Sequence, residues 1–517
     1  MQQKEQTVGA MTKSIGIVML LTMVGKITGF LREIIFANYF GTGAVSDAYK
    51  NALLVPGFIL SILIAAVAAA MIPILSEERR QSEKQANRFV SNLLTVGSFV
   101  SVCVLLLTLL FLRPIIIGIF LPYATEETQS IAITLSTIML SMELFVFLGR
   151  ILTAYLQAHF HFTMPVLTQI VQNLVLLVVI VVVGKQGNIE WVAFGTVISW
   201  LMQFLVQIPS ARRMGLRYRP RFDLSDKALR ATALLTLPAI IPTAFDSFYL
   251  IFAHSIASQN IGHISALDYS NRLSTMISAA LLTTVATVLY PSLVDESDNR
   301  KKFTDSLSYG ININFLIAIP ASAALILLAQ PIIRLVYERG QFTAESTALT
   351  SGTLACFSFG ILGIGLRDIC NRCFYAYKAK TIPLIIGIVS LALNMLLNYA
   401  LYPLYGPAGI AASISITSLL TGVALLVLLH YSKKVVDWRT LSRCLCKVCL
   451  ATLVMSLLLV LCTQLFSLQT SAGKGFALSM VFVIGLGIVV YLFMLWVLKT
   501  EELHTIVNSL KRKLKKG

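Results

Sequence analysis

The chain has 517 residues, 57% of them hydrophobic and only 13% charged, with a mean hydropathy of +0.81 and a formal net charge of +17. A soluble protein of this size carries about a quarter charged residues, so the composition excludes a soluble enzyme and points to a polytopic membrane protein. The basic excess would suggest nucleic acid in a soluble chain; here the positive-inside rule accounts for most of it, and no nucleic-acid partner is expected.

The polar start MQQKEQTVGAMTKS runs into a long apolar stretch without a small-residue cleavage site, which predicts a retained first span rather than a removed signal peptide. Hydropathy predicts fourteen helical spans: 14–40, 49–75, 89–120, 127–157, 163–184, 190–211, 228–258, 264–293, 303–335, 345–377, 382–403, 407–430, 441–467 and 475–498. With the N-terminus in the cytoplasm, 29 Lys/Arg fall in inner segments and three (Lys185, Arg339 and Lys474) in outer connections. That bias predicts an N-in, C-in topology. The longest inner connection, "ARRMGLRYRPRFDLSDKALR" at 211–230, is expected to lie on anionic lipid and to link two halves of the chain.

The halves repeat at an offset of 218 residues. Pro73-x-Leu75 matches Pro291-x-Leu293, Thr163-Met164-Pro165 matches Thr381-Ile382-Pro383, and Thr125 falls on Thr343. "RPIII" at 113–117 matches "QPIIR" at 330–334 one residue out of phase. The offset joins span 2 to 8, 3 to 9 and 5 to 11. A shift of six spans keeps the repeats parallel. The predicted fold is therefore an all-α polytopic membrane protein of about 14 transmembrane helices, two six-helix lobes in parallel pseudo-repeat plus two C-terminal helices. Its parts are an N-lobe at 1–211, a basic cytoplasmic linker at 212–230, a C-lobe at 231–432, and the last two spans with a basic tail at 433–517.

Charges within spans are costly and mark function by default. Span 1 carries Gly25-x-x-x-Gly29, which permits close helix approach, with Lys26, Arg32 and Glu33; Asp47 and Lys50 open span 2. Glu143 and Arg150 lie in span 4, Asp246 in span 7, Asn271 and Arg272 in span 8, and Arg367, Asp368 and Arg372 in span 10. Mutual neutralisation would pair Arg32 with Asp47 or Glu33, Arg367 with Asp368, and Glu143 with Arg150. Buried ion pairs stabilise poorly compared with apolar residues, so keeping many of them in both lobes points to a hydrated cavity. Lys26, Arg32, Arg272, Arg367 and Arg372 outnumber the nearby acids, and arginine's rigid fork suits phosphate. The expected substrate carries phosphate or carboxylate, and apolar walls can take a lipid tail.

Pro238 and Pro242 free backbone carbonyls near Asp246. Asn394 and Asn398 share one face of span 11, followed by Ser413, Ser415 and Thr417 in span 12. These oxygens can hold a sodium ion or a proton, or can serve as interhelical polar glue. Cys370-x-x-Cys373 lacks a second pair at zinc spacing, and all eight cysteines are expected to be buried, inert thiols. There is no H-E-x-x-H and no phosphate-binding G-x-x-x-x-G-K-[ST]. Neither an enzyme nor an ATP-driven pump is expected, and no cofactor is expected beyond sodium or proton coupling.

The stretches "GFLREIIFANYFGTGAVSDAY" (29–49), "VPGF" (55–58), "IPILSEE" (72–78), "NRL" (271–273), "LYPSL" (289–293), "LVYERGQFTAEST" (335–347) and "YAYKAKTIPLIIGIVSLALNMLLN" (375–398) resemble the MurJ (MviN) family. These are lipid II flippases of the multidrug/oligosaccharidyl-lipid/polysaccharide (MOP) exporter superfamily, and the likeness covers spans 1–12 in order. The resemblance implies a flippase of the bacterial inner membrane that moves an undecaprenyl-pyrophosphate-linked saccharide from the inner to the outer leaflet by alternating access. Arg32, Asp47 and Arg272 take the places of family residues in spans 1, 2 and 8, and would bind diphosphate or set the local charge. In some members spans 7, 11 and 12 hold sodium, which suits Asp246, Asn394 and Asn398. The chain departs from the family at Gly25-Lys26, where Ser-Arg is usual, and at Asn271, where Asp is usual. It also lacks the family's Arg-Arg and Ala-Glu-Gly in span 2. The alternatives are a flippase for another polyprenyl-linked oligosaccharide, a cation-coupled exporter of amphiphiles, and a non-transporting scaffold that recruits cell-wall synthesis proteins through its basic inner face.

Overall fold

The computed structural model describes residues 2–58, 62–379, 381–466, 468 and 474–502, with side chains throughout these except at 2–15, 62–66, 68–69, 237–247, 277, 279–288 and 474. Among the described residues there is no strand, and each of the fourteen predicted stretches falls on helix. Nine of the described helices are long and apolar enough to cross a membrane, and ten if two that meet at a 44° bend form one span. The expected count of about fourteen spans is not confirmed: by length and composition the described helices support nine or ten.

The chain divides into two compact units, Met1–Ser265 with Arg339–Phe342, and Ala266–Glu338 with Thr343–Gly517. The first holds α1 (Gln2–Phe40), α2 (Ala44–Pro56), α3 (Ile62–Gln81), α4 (Glu83–Leu110), α5 (Leu112–Ile115), a π-helical turn at Ile116–Phe120, α6 (Glu126–Met139), α7 (Met142–Ala158), α8 (Thr163–Gly184), α9 (Ile189–Leu205), α10 (Gln207–Arg213) and α11 (Lys227–Ala257). The second holds α12 (His263–Asp295, its first three residues with the first unit), α13 (Arg300–Leu327), α14 (Ala329–Tyr337), α15 (Ala344–Phe359), α16 (Ile361–Ala376), α17 (Thr381–Tyr405), α18 (Pro407–Lys433), α19 (Trp438–Leu465) and α20 (Lys474–Val497). Sequence symmetry divides the lobes between 211 and 231; compactness instead keeps α11 with the first unit, because α11 packs along α3.

The repeat is visible in individual backbone hydrogen bonds. Thr125 caps α6 by accepting from the Thr128 N–H at 3.3 Å, and Thr343, 218 residues on, caps α15 by accepting from the Ser346 N–H at 3.3 Å. Such a side-chain acceptor satisfies one of the orphan donors of a helix start. The α7 and α16 C-termini close alike. Phe160 and Lys378 sit at φ 59° and 57°. The next N–H reaches back, His161 to Leu156 O and Ala379 to Phe374 O, each at 2.9 Å. This is the 6→1 bond of a Schellman turn.

In the first unit Phe36, Tyr49, Phe89, Phe120 and Tyr155 are fully or nearly fully buried. The core of the second gathers Phe303, Ile311, Phe374, Leu429, Val448 and Val483. There α20 is tied to α13 by the Tyr491 hydroxyl, which donates to Leu316 O at 2.8 Å, and Asn312 donates to Glu502 Oε1 at 2.5 Å. Leu478, Val481 and Leu492 on α20 are exposed, as suits a helix whose outer face meets acyl chains, not water.

Candidate functional site: a buried charge cluster in the first unit

Gly41 turns the chain between α1 and α2 at φ 55°, and a Cβ there would meet Gln341 O at 2.3 Å. Beyond the turn, Phe36 of α1 stacks on Tyr49 of α2 with ring centroids 4.7 Å apart. This contact sets Glu33, one turn back on α1, beside Lys50, the neighbour of Tyr49. The Lys50 ammonium donates to Glu33 Oε2 and lies 5.0 Å from the centre of the Phe36 ring. Arg32 Nη2 donates to Glu33 Oε1 at 2.8 Å, and Nη1 to Asn173 Oδ1 of α8 at 3.1 Å. Asn173 in turn donates to Gly25 O at 3.1 Å, which binds α8 to α1 across the expected small-residue face.

Two cations thus share one carboxylate, and the cluster is net positive. Its members differ in access: the Lys50 and Glu33 side chains are 3% and 6% exposed, the Arg32 side chain 15%. Arginine has five N–H donors; the two bonds above engage part of the fork and fix its orientation. The arrangement is a preoriented guanidinium with donor capacity left for a planar or tetrahedral oxyanion.

Asp47 stands elsewhere and does a different job. Its Oδ2 accepts from the Gly262 N–H at 2.6 Å, and its Oδ1 from the Ser265 N–H at 2.7 Å and from the Ser265 hydroxyl. Those N–H groups open α12, so the carboxylate satisfies a helix start and its positive dipole end. Arg32 therefore pairs with Glu33 and not with Asp47. Lys26 lies exposed on α1, apart from the cluster.

In the second unit Arg272 is exposed on α12, and Arg367 and Arg372 are partly exposed on α16. The Arg372 guanidinium lies over Tyr290, 5.8 Å from the ring centre. Among the described residues no ion pair joins Arg367 to Asp368 or Glu143 to Arg150. Adjacent positions diverge on a helix, and residues seven apart are about 10 Å apart along its axis. Glu143 is buried with Oε2 lacking a hydrogen-bond partner, while Arg150 is exposed.

Of the sodium candidates, Asp246 lies outside the residues whose side chains are described. Asn398 donates to Asn394 Oδ1 at 2.9 Å, and its own Oδ1 is buried without a hydrogen-bond partner. Such an oxygen fits a cation's needs. Ser413 and Thr417 bond to carbonyls of their own helix, and Ser415 to Cys356 O of α15, as polar glue does. The cysteines correct the expectation of eight buried thiols: Cys370, Cys373, Cys444 and Cys462 are buried, but Cys103, Cys446 and Cys449 are exposed, because helical periodicity turns them away from the packed faces of α4 and α19.

Sequence reasoning marked Glu33 and Lys50 as charges without placing them in the site, and missed Asn173 and Ser265. Gln172-Asn173 within the apolar run of α8 was the available signal for Asn173. Ser265 follows from the repeat, since it lies 218 residues after Asp47.

Comparison with known proteins supplies the frame. Residues 36–482 match the family model described as lipid II flippase MurJ. A probable lipid II flippase MurJ of Buchnera aphidicola is 28% identical over 461 residues, which cover 87% of this chain and 90% of that protein. The Vibrio cholerae counterpart is 26% identical over 514 residues, covering 93% and 95%. Among solved structures, a lipid II flippase MurJ in an inward closed conformation superposes with a TM-score of 0.78 at 24% identity, over 92% of this chain and 97% of that one. An inward-facing multidrug resistance MATE transporter of the MOP superfamily gives 0.65 at 16%, over 81% and 98%.

Proposed function

Because the chain belongs to the lipid II flippase MurJ family, we propose that it is a lipid II flippase, a multi-pass protein of the bacterial inner membrane. It moves the undecaprenyl-pyrophosphate-linked peptidoglycan precursor from the inner to the outer leaflet by alternating access. The observation that carries the reading, beyond the family match, is the Arg32–Glu33–Lys50 cluster: net positive charge enclosed between α1, α2 and α8, with its arginine the most accessible member. A scaffold would have no use for a charge kept there at such cost.

Arg32 is the diphosphate-binding group of the first unit, oriented by Glu33 and Asn173. Lys50 supplies a second-span cation in a helix that lacks the family's Arg-Arg. Arg272, Arg367 and Arg372 are the candidates of the second unit. Lys26, exposed and apart, adds charge without a fork. Asp47 contributes by holding the start of α12, not by touching substrate. Coupling falls to sodium or a proton, with Asn394 and Asn398 as candidate oxygens. The termini are cytoplasmic in this reading, and anionic lipids and cell-wall synthesis proteins are partners of the basic inner face.

The missing span 2 charges favour one second reading, a flippase for another polyprenyl-linked oligosaccharide. Complementation separates the two. In a strain depleted of its own lipid II flippase, the wild-type chain should restore growth, and Arg32→Ala or Arg272→Ala should not, although both insert. Failure of the inserted wild type to restore growth would favour the second reading.

A further inference from the structure

The connection between α10 and α11 is a built element. Gly215 at φ 94° starts it, and Pro220 biases Arg219 toward an extended backbone. It then lies along α4, whose polar side chains stand at 87, 91, 92 and 95. Arg217 N–H donates to Asn87 Oδ1 at 3.1 Å, Arg219 N–H to the Ser91 hydroxyl at 3.2 Å, and Arg221 N–H to the Thr95 hydroxyl at 3.4 Å. Asn92 bonds the Asp223 backbone in both directions, at 2.8 and 2.9 Å, and Tyr155 donates to Met214 O at 3.1 Å. A segment that finds partners for every second N–H along a helix face is a fixed strap.

Its side chains are sorted. Tyr218, Phe222 and Leu224 are exposed, and Phe222 meets Phe99 edge-on at 5.4 Å, where α4 carries no further charge and is mostly apolar. Arg212, Arg213, Arg217 and Arg219 are exposed and hold no ion pair among the described residues. The local acids are occupied: Asp223 by Arg221 and Ser225, and Asp226 by the Ala228 and Leu229 N–H groups at the start of α11. Unpaired arginines beside exposed aromatics, at the level where a spanning helix passes from polar to apolar, match the layer of headgroup phosphates above acyl chains.

We propose that the strap Met214–Leu224 is a binding site for anionic phospholipid headgroups, with Arg217 and Arg219 on the phosphodiester and Tyr218 and Phe222 in the acyl boundary. The occupant is a membrane phospholipid, by charge complementarity and by the apolar ring set beside the cations. The site is separate from the Arg32 cluster and stands whether or not lipid II is the cargo.

The test uses the full chain, extracted from vesicles of equal parts phosphatidylglycerol and phosphatidylethanolamine, with co-purifying lipid counted by mass spectrometry. The wild type should retain phosphatidylglycerol in excess. R217Q/R219Q should cut the excess at least about fivefold, given what each cation near an anionic surface contributes. K301Q/K302Q, which removes two charges from exposed positions on α13, should lower it far less than R217Q/R219Q does. Both pairs carry exposed side chains, and unchanged unfolding temperatures would confirm folding. An excess that survives R217Q/R219Q, or that falls equally in both variants, overturns the site.

Discussion

Asp47 and Ser265 stand one full repeat apart in sequence and hydrogen-bond to each other, the Ser265 N–H donating to Asp47 Oδ1 at 2.7 Å. Residues equivalent by the internal symmetry thus meet, and the acid of one satisfies the helix start of the other. Removing the carboxylate leaves the Gly262 and Ser265 N–H groups, both buried in these bonds, without acceptors. Asp47→Ala should cost about 2–4 kcal/mol, at roughly 1–3 kcal/mol for each orphaned donor partly offset by relaxation. Asp47→Asn should cost less, and Ser265→Ala least. Thermal unfolding in detergent checks the order; an Asp47→Ala chain as stable as wild type would refute the capping role.

Glu33 lies between two cations, so its loss and theirs differ in effect. Glu33→Gln removes the carboxylate shared by the buried Lys50 ammonium and the partly exposed Arg32 guanidinium, and should destabilise by about 3–5 kcal/mol. Lys50→Met leaves the Arg32–Glu33 bond intact and should cost under about 2 kcal/mol. The double variant should recover part of the Glu33→Gln loss, and a double-mutant cycle should read a coupling above about 1 kcal/mol.

Arg32→Lys keeps the charge and loses the fork. Its unfolding temperature should stay near wild type, because Lys50 still neutralises Glu33. Transport should fall at least about tenfold, one forked bond's worth of roughly 1.4 kcal/mol or more. Full transport by Arg32→Lys would make the site a point-charge attractor only.

The strap between α10 and α11 should be acid-sensitive. The Arg221 guanidinium, 2.7 Å from Asp223, and the bonds from Ser225 hold the Asp223 carboxyl down at about 2, below its ordinary 3.8. A depressed acid adds stability that is complete above the unfolded value and fades as pH falls through the folded one. Amide exchange at Arg217, Arg219 and Arg221, corrected for intrinsic rate, should be flat from pH 7 to about 4 and rise toward pH 2. Asp223→Asn should remove that rise.

Much of the fold was legible because membrane helices announce themselves and repeats echo. Thr125 and Thr343 could be matched in the sequence because a helix start needs a hydroxyl acceptor in both halves. The site was only half legible. Arg32 could be singled out by its cost at bilayer depth, but its partner was open between Glu33 and Asp47, since both acids lie within reach in sequence. The tertiary bonds from Gly262 and Ser265 that occupy Asp47 decide for Glu33. Asn173 escaped because a lone amide in an apolar helix is usually glue. Glu143 and Arg150 failed as a pair because two turns of helix, about 10 Å of rise, separate them beyond ion-pair reach.

The central claim is that this chain carries lipid II outward with Arg32 as an anion-binding group. The direct measurement is the fraction of lipid II open to cleavage from outside, in cells depleted of their own flippase and supplied with wild-type or Arg32→Ala protein in equal amounts. Wild type should restore outer-leaflet lipid II to the undepleted level, and Arg32→Ala should leave it near the depleted background. Lipid II that stays inside despite inserted wild type, or that is exposed equally by Arg32→Ala, would contradict the account.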